Sequence, residues 1–107
     1  MLLGYRDVDR GHILENVVYL ELLRRGYNVS IGKVGDKEVD FVAIRPDKKV
    51  YYQVTESILN IDVREREISA LSSIKDNYEK VVLSMDKTFI LSEDGIKLQN
   101  VIDFLLE

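Results

Sequence analysis

Glu38-Val39-Asp40-Phe41-Val42-Ala43-Ile44, then Arg45-Pro46-Asp47-Lys48, then Val50-Tyr51-Tyr52-Gln53-Val54-Thr55: two β-branched and aromatic runs bracket a four-residue turn. Proline stands second in that turn, where its fixed φ is wanted. The runs read as two antiparallel neighbouring strands. Alternation predicts Val39, Phe41 and Ala43 on one face of the first strand, with Glu38, Asp40 and Val42 on the other. On the second strand Tyr51, Gln53 and Thr55 share a face opposite Tyr52, Val54 and Glu56. This pairing lays Asp40 and Gln53 side by side near the middle of a sheet. A strand interior disfavours aspartate, so Asp40 is the residue that most needs an explanation.

The flanking sequence supplies the rest of an α/β domain. Upstream, Asp9 to Arg25 reads as a helix, with Leu14, Val17, Val18 and Leu22 at helical spacing and Gly26 just beyond its end. Asp7 and Asp9 at its start and Arg24 and Arg25 at its end suit the helix dipole. Tyr27 to Lys33 is a first strand, with a turn over Gly32 to Asp36. Downstream, a second helix begins near Asp62, which with Glu65 three residues on makes a capping box. Val63, Leu71, Ile74 and Tyr78 fall on one face of it. Lys80 to Met85, around Val81-Val82-Leu83, is a buried central strand. Thr88–Leu91 and Ile96–Leu98 flank Glu93-Asp94-Gly95 as a hairpin, and Asn100 to Leu106 is a short closing helix. The predicted order is αβββαβ with a mixed central sheet, then a hairpin and a helix, all in one domain over residues 1–107.

Composition limits the chemistry. The chain has 107 residues, no cysteine and one histidine, His12. That excludes disulfides, thiolate nucleophiles, cysteine-ligated zinc and any zinc site needing two imidazoles. Metal chemistry here would need oxygen ligands and a hard cation: magnesium, manganese or calcium. The net charge is −4, which argues against strong non-specific nucleic-acid binding. It divides unevenly, with a balance of +1 over residues 1–53 and −5 over 54–107. A polyanion would prefer the first half, weakly and with strong salt dependence. Apolar runs are far short of the ~20 residues that span a bilayer, and the first residues lack the pattern of a secretory leader. The chain reads as cytoplasmic, without membrane association.

The candidate site gathers on the two central strands. Glu15, mid-helix at the edge of the apolar stripe, reaches Asp40 if that helix packs on the sheet, and Gln53 adds an amide oxygen. Arg64 and Glu67 lie three apart within or beside the apolar stripe of the second helix, where buried charges need partners. An Arg64–Glu67 pair near the sheet is the expectation. Each residue also has a plain structural reading. Asp40 then sits at an edge or bulge with a cationic partner, Glu15 is a solvated helix glutamate, and Gln53 is an amide satisfied across the strands. Arg64 and Glu67 then belong to a helix face laced with ion pairs. His12 reads as a solvated or capping residue. Lys33, Lys37, Lys48 and Lys49 are turn charges. The scattered tyrosines form no stacking platform for single strands.

With these elements and residues in order, the chain resembles the PD-(D/E)XK nuclease superfamily, whose restriction-endonuclease-like core runs helix-Glu, strand-Asp, strand-(Glu/Gln)-x-Lys. Leu14-Glu15-Asn16 and Leu23-Arg24-Arg25-Gly26-Tyr27 are similar to that superfamily's first helix and its exit. Glu38-Val39-Asp40-Phe41 is similar to its metal-binding strand, and Gln53-Val54-Thr55 falls where (Glu/Gln)-x-Lys belongs. The chain also resembles the uncharacterised nuclease-like module at the C-terminal end of archaeal and bacterial AAA+-type ATPases. Arg64-Glu65-Arg66-Glu67, Ile74-Lys75-Asp76-Asn77-Tyr78, Lys80 to Asp86 and Asn100 to Leu106 carry that likeness.

The resemblance implies that Asp40 holds Mg²⁺ or Mn²⁺, with Glu15 assisting directly or through water and Gln53 giving an amide oxygen. The lysine of the motif is Thr55 here. Loss of one such donor typically costs ~10²–10³ in rate, and Gln53 in place of a carboxylate removes a negative charge from the metal. The expected site is weak or dead, with Arg64 as a stand-in for the lysine from another element. Two functions follow. One is a catalytically impaired regulatory or interaction module associated with an AAA+-type ATPase. The other is a weak, divalent-metal-dependent DNA endonuclease. Starting at Met1, the chain reads as a free-standing product or a separately expressed piece of a longer ATPase.

Overall fold

The structure, a computed structural model, describes residues 7–87 and 92–107. The elements are α1 (Asp7–Arg24), β1 (Asn28–Val34), β2 (Lys37–Arg45), β3 (Lys48–Val54), α2 (Ile61–Ser72), β4 (Glu79–Ser84), β5 (Ser92–Glu93), β6 (Ile96–Asn100) and α3 (Val101–Leu105). The αβββαβ order with a closing hairpin and helix is the one expected from the sequence. The expected strand over Thr88–Leu91 lies outside the described residues. One mixed sheet carries the strands in the order β1-β2-β3-β4-β6-β5. β1, β2 and β3 are antiparallel neighbours, β3–β4 and β4–β6 are parallel, and β5 turns back on β6.

Two apolar layers cover the sheet. On one face α1 and α3 bury Val18, Leu22 and Phe104 against Ala43, Tyr52, Val54, Val81 and Leu83. On the other, Ile68 and Leu71 of α2 pack on Val39, Val42, Tyr51, Val82 and Leu98. β4 is apolar at Val81-Val82-Leu83, where helices cover both of its faces. α1 closes at Gly26, whose φ of 88° is open to a residue without a Cβ, with Tyr27 N–H donating to the Leu22 carbonyl at 3.1 Å.

Three expectations about detail are corrected. The cap of α2 is Asn60, not Asp62: its Oδ1 accepts from the backbone N–H of Asp62 at 2.8 Å and of Val63 at 3.2 Å. The helix ends at Ser72, so Ile74 packs on the core from the following loop and Tyr78 is half exposed. Asparagine and aspartate are near-equal caps, and one lies two residues from the other, so the pattern does not discriminate.

The third correction bears on the site. Val39 and Val42 both face α2, while Phe41 and Ala43 face α1. Strict alternation fails because β2 carries a bulge. Ser30 pairs with Val42 and Gly32 with Val39, so Asp40 and Phe41 together oppose Ile31. Gly32 permits it: a Cβ there would stand 2.7 Å from Val42 Cγ2 and 3.3 Å from Val39 Cβ. The bulge re-aims Asp40 at the point where β2 parts from β3.

Candidate functional site

The β2–β3 ladder runs from Arg45↔Lys48 up to Phe41↔Tyr52. The next rung would be Asp40↔Gln53, and there side chains replace the ladder. Asp40 N–H donates to Gln53 Oε1 at 2.7 Å, and Val54 N–H donates to Asp40 Oδ2 at 2.8 Å. Beyond this fork β3 continues alongside β4, and Thr55 N–H donates to the Leu83 carbonyl at 3.0 Å. Gln53 is 4% exposed, so its amide needs the partner it has.

Asp40 and Gln53 open onto a cleft of about 350 Å³ together with Lys37, Glu38, Arg66, Glu67, Ser69 and Ala70. Glu15 lies on the other side of the sheet, in a separate recess lined by His12, Asn16, Tyr19 and Phe41. Glu15 thus borders a recess of its own, yet lies near enough to Asp40 and Glu67 for their charges to interact. Asp40 is shared electrostatically between the sides, with Glu15 on α1 and Glu67 on α2.

All three carboxyls hold their protons more tightly than usual. Burial raises Asp40, the Val54 amide counters it, and Glu38 adds repulsion. Burial likewise raises Glu15, with the Asp40 charge adding and His12 opposing. Glu67 is moved furthest, to about 7, by burial first and then by Asp40, with Glu15 adding a little, while Arg66 at 3.8 Å pulls the other way. These directions mark a cluster short of positive charge.

Arg64 does not supply it. Its guanidinium donates to Glu93 on β5, at the far edge of the sheet, and the expected Arg64–Glu67 pair is replaced by Arg64–Glu93 and Arg66–Glu67. A three-residue spacing places two side chains on one helix face, but β5 offered Arg64 a carboxylate that the helix pattern could not reveal. Thr55, at the position of the motif lysine, donates from Oγ1 to the Ser57 carbonyl at 3.5 Å. The cations at the cleft are Lys37, bonded to Ser69 Oγ at 2.6 Å, and Arg66. Sequence reasoning passed over both. Lys37 read as a turn charge, and only the packing of α2 across the start of β2 reveals its place.

Hard cations take six to eight oxygens, or a near-ideal octahedron, within 2.0–2.6 Å. Among the described residues, no group of three or more His, Asp or Glu side chains is arranged to hold a metal ion. The one oxygen of Asp40 and the one oxygen of Gln53 that face the fork already accept backbone N–H groups. This donor set does not fit a preformed Mg²⁺ or Mn²⁺ site. What it does is bind two strands where their ladder stops. No helix among the described residues is long and apolar enough to cross a membrane.

Comparison with known proteins adds one relation. No protein-family model matches the chain. The chain is 40% identical over 106 residues to an uncharacterised protein of Haemophilus influenzae, an alignment covering 98% of this chain and 26% of that protein. The chain thus spans about a quarter of the length of this relative.

Proposed function

We propose that this chain is a catalytically impaired, nuclease-derived α/β module of PD-(D/E)XK type, working in the cytoplasm as a regulatory or interaction domain beside an AAA+-type ATPase. The observation that carries the reading is the fork. By the resemblance, Asp40 and Gln53 would stand where the superfamily's acidic ligands belong, and here their oxygens accept the N–H groups of Val54 and Asp40. Support for impairment also comes from Thr55, whose hydroxyl is turned to the Ser57 carbonyl. Support for a module comes from the relative, in which a unit 40% identical to this one occupies only 26% of the length. The rest of that length is ample for further domains.

The runner-up reading is a weak Mg²⁺- or Mn²⁺-dependent DNA endonuclease. It is favoured by one specific observation: Asp40, Gln53 and Glu67 border a single cleft that also holds Lys37 and Arg66. A supercoiled-plasmid nicking assay with millimolar Mn²⁺ separates the two. The expected result is background nicking by the wild type, the Asp40→Asn variant and the Arg64→Ala variant alike. Nicking by the wild type that disappears in Asp40→Asn would establish the endonuclease instead. Pull-down with the chain as bait is expected to recover a P-loop ATPase, and recovery of none would count against the partnership.

A further inference from the structure

The recess beside α1 holds a carboxylate that the rest of the protein leaves unmatched. Glu21, Glu56, Glu93 and Glu107 each meet an arginine. Glu15 makes neither a hydrogen bond nor an ion pair among the described residues, and the charges that act on it are those of Asp40 and His12. It is half-buried, so its charge is poorly solvated, and Asp40 disfavours that charge further. His12, about one turn before it on α1, borders the same recess without pairing with it. The space, about 350 Å³, has aromatic walls. Tyr19 on α1 and Phe41 on β2 lie with ring centroids 5.9 Å apart and planes tilted by 32°, and Tyr19 keeps 37% of its surface exposed. Helical spacing sets Tyr19 one turn beyond Glu15, so ring and carboxylate border one space. Apolar side chains continue the surface. Leu20, one turn past Asn16, and Leu23, one turn past Tyr19, are both exposed.

We propose, resting on the reading of this chain as an interaction module, that the recess receives an arginine side chain of a protein partner. A guanidinium is planar, so it lies over an aromatic face while its N–H fork meets a carboxylate, and Tyr19 and Glu15 offer the two together. It also brings the positive charge that Glu15 and Asp40 lack. The chain makes the same combination inside itself: Arg25 lies 4.3 Å over the Phe104 ring while its Nε donates to Glu21 at 2.7 Å. Charge and rings therefore select the arginine. Leu20 and Leu23 beside the recess select a protein to carry it, because apolar neighbours around a charged anchor exclude water from it, as a free small cation would not.

The probe is a capped tripeptide with arginine between two leucines, titrated into the full ¹⁵N-labelled chain at neutral pH and low salt. Amide signals of residues 12–19 and 41 are expected to shift and saturate, with a dissociation constant on the order of 1 mM, as suits one anchor without the rest of its partner. The same peptide with citrulline, which keeps the shape and loses the charge, binds roughly tenfold or more weakly. Glu15→Gln, whose spectrum otherwise matches the wild type, weakens the arginine peptide by a similar factor. Tyr19→Ala weakens it about threefold, and Tyr19→Phe restores it. Millimolar Mg²⁺ in place of the peptide leaves those signals unmoved. Absence of saturable shifts, equal binding of the arginine and citrulline peptides, or full binding by Glu15→Gln overturns the proposal. So does Mg²⁺ that moves the same signals, which gives Glu15 to a metal ion. A failed ATPase pull-down beside a positive titration removes the class of partner and leaves the arginine site, and the reverse leaves the partnership and removes the site.

Discussion

Glu67→Gln is expected to stabilise the protein at pH 8 by on the order of 3 kcal/mol and to change little at pH 4. Burial first, and the neighbouring Asp40 second, move the Glu67 carboxyl from its ordinary 4.5 up to about 7. A carboxyl with a raised folded-state pKa contributes stability that is fully present below its unfolded value. That contribution is lost as pH rises from about 4.5 through about 7, because the folded state must then carry a buried charge that the unfolded state solvates freely. Each pH unit between the two values is worth about 1.4 kcal/mol. Glutamine keeps the shape and cannot ionise, so the loss vanishes with it. Urea unfolding at pH 4, 6 and 8 reads the difference. A gap between wild type and variant that widens with pH supports the reading, and an equal gap at all three contradicts it. Arg66 lies too far from Glu67, at 3.8 Å and largely exposed, to cancel the effect.

The second large effect concerns the helix that closes the chain. Phe104→Ala should cost about 3–5 kcal/mol, a large share of the roughly 5–15 kcal/mol by which domains of this size are stable. Phe104 is 1% exposed, meets Tyr52 edge-on at 5.6 Å between ring centroids, and lies 4.3 Å beneath the Arg25 guanidinium. Removing the ring opens a cavity between α1, α3 and the sheet and uncovers Arg25. Leu106→Ala, two residues on and exposed, serves as the comparison and should cost under about 0.5 kcal/mol. Thermal melts of both variants decide it. A Phe104→Ala midpoint within a few degrees of wild type would mean α3 is not part of the core.

Much of the architecture was legible in the sequence because single elements announce themselves. Pro46 set the β2–β3 turn, Val81-Val82-Leu83 could only be a strand covered on both faces, and Gly26 marked the end of α1. What escaped was relational. The bulge at Asp40 depends on Gly32, which sits on another strand and read as part of a turn. The partner of Arg64 is a glutamate on the far edge strand. The role of Lys37 depends on how α2 crosses the sheet. Asp40 and Gln53 were correctly set side by side from alternation and turn position. The helix pattern brought Glu15 toward Asp40, and the charge of Asp40 does act on it, but a helix pattern alone does not tell which recess the side chain borders.

The reading of the fork can be checked directly. If Asp40 and Gln53 are fasteners between β2 and β3, titration of the wild type with Mn²⁺ in a calorimeter gives no saturable heat below millimolar metal, and Asp40→Asn, which keeps an oxygen for the Val54 N–H, leaves the fold as stable or slightly more so. A saturable isotherm below millimolar Mn²⁺ that Asp40→Asn abolishes would contradict it and return these residues to metal chemistry.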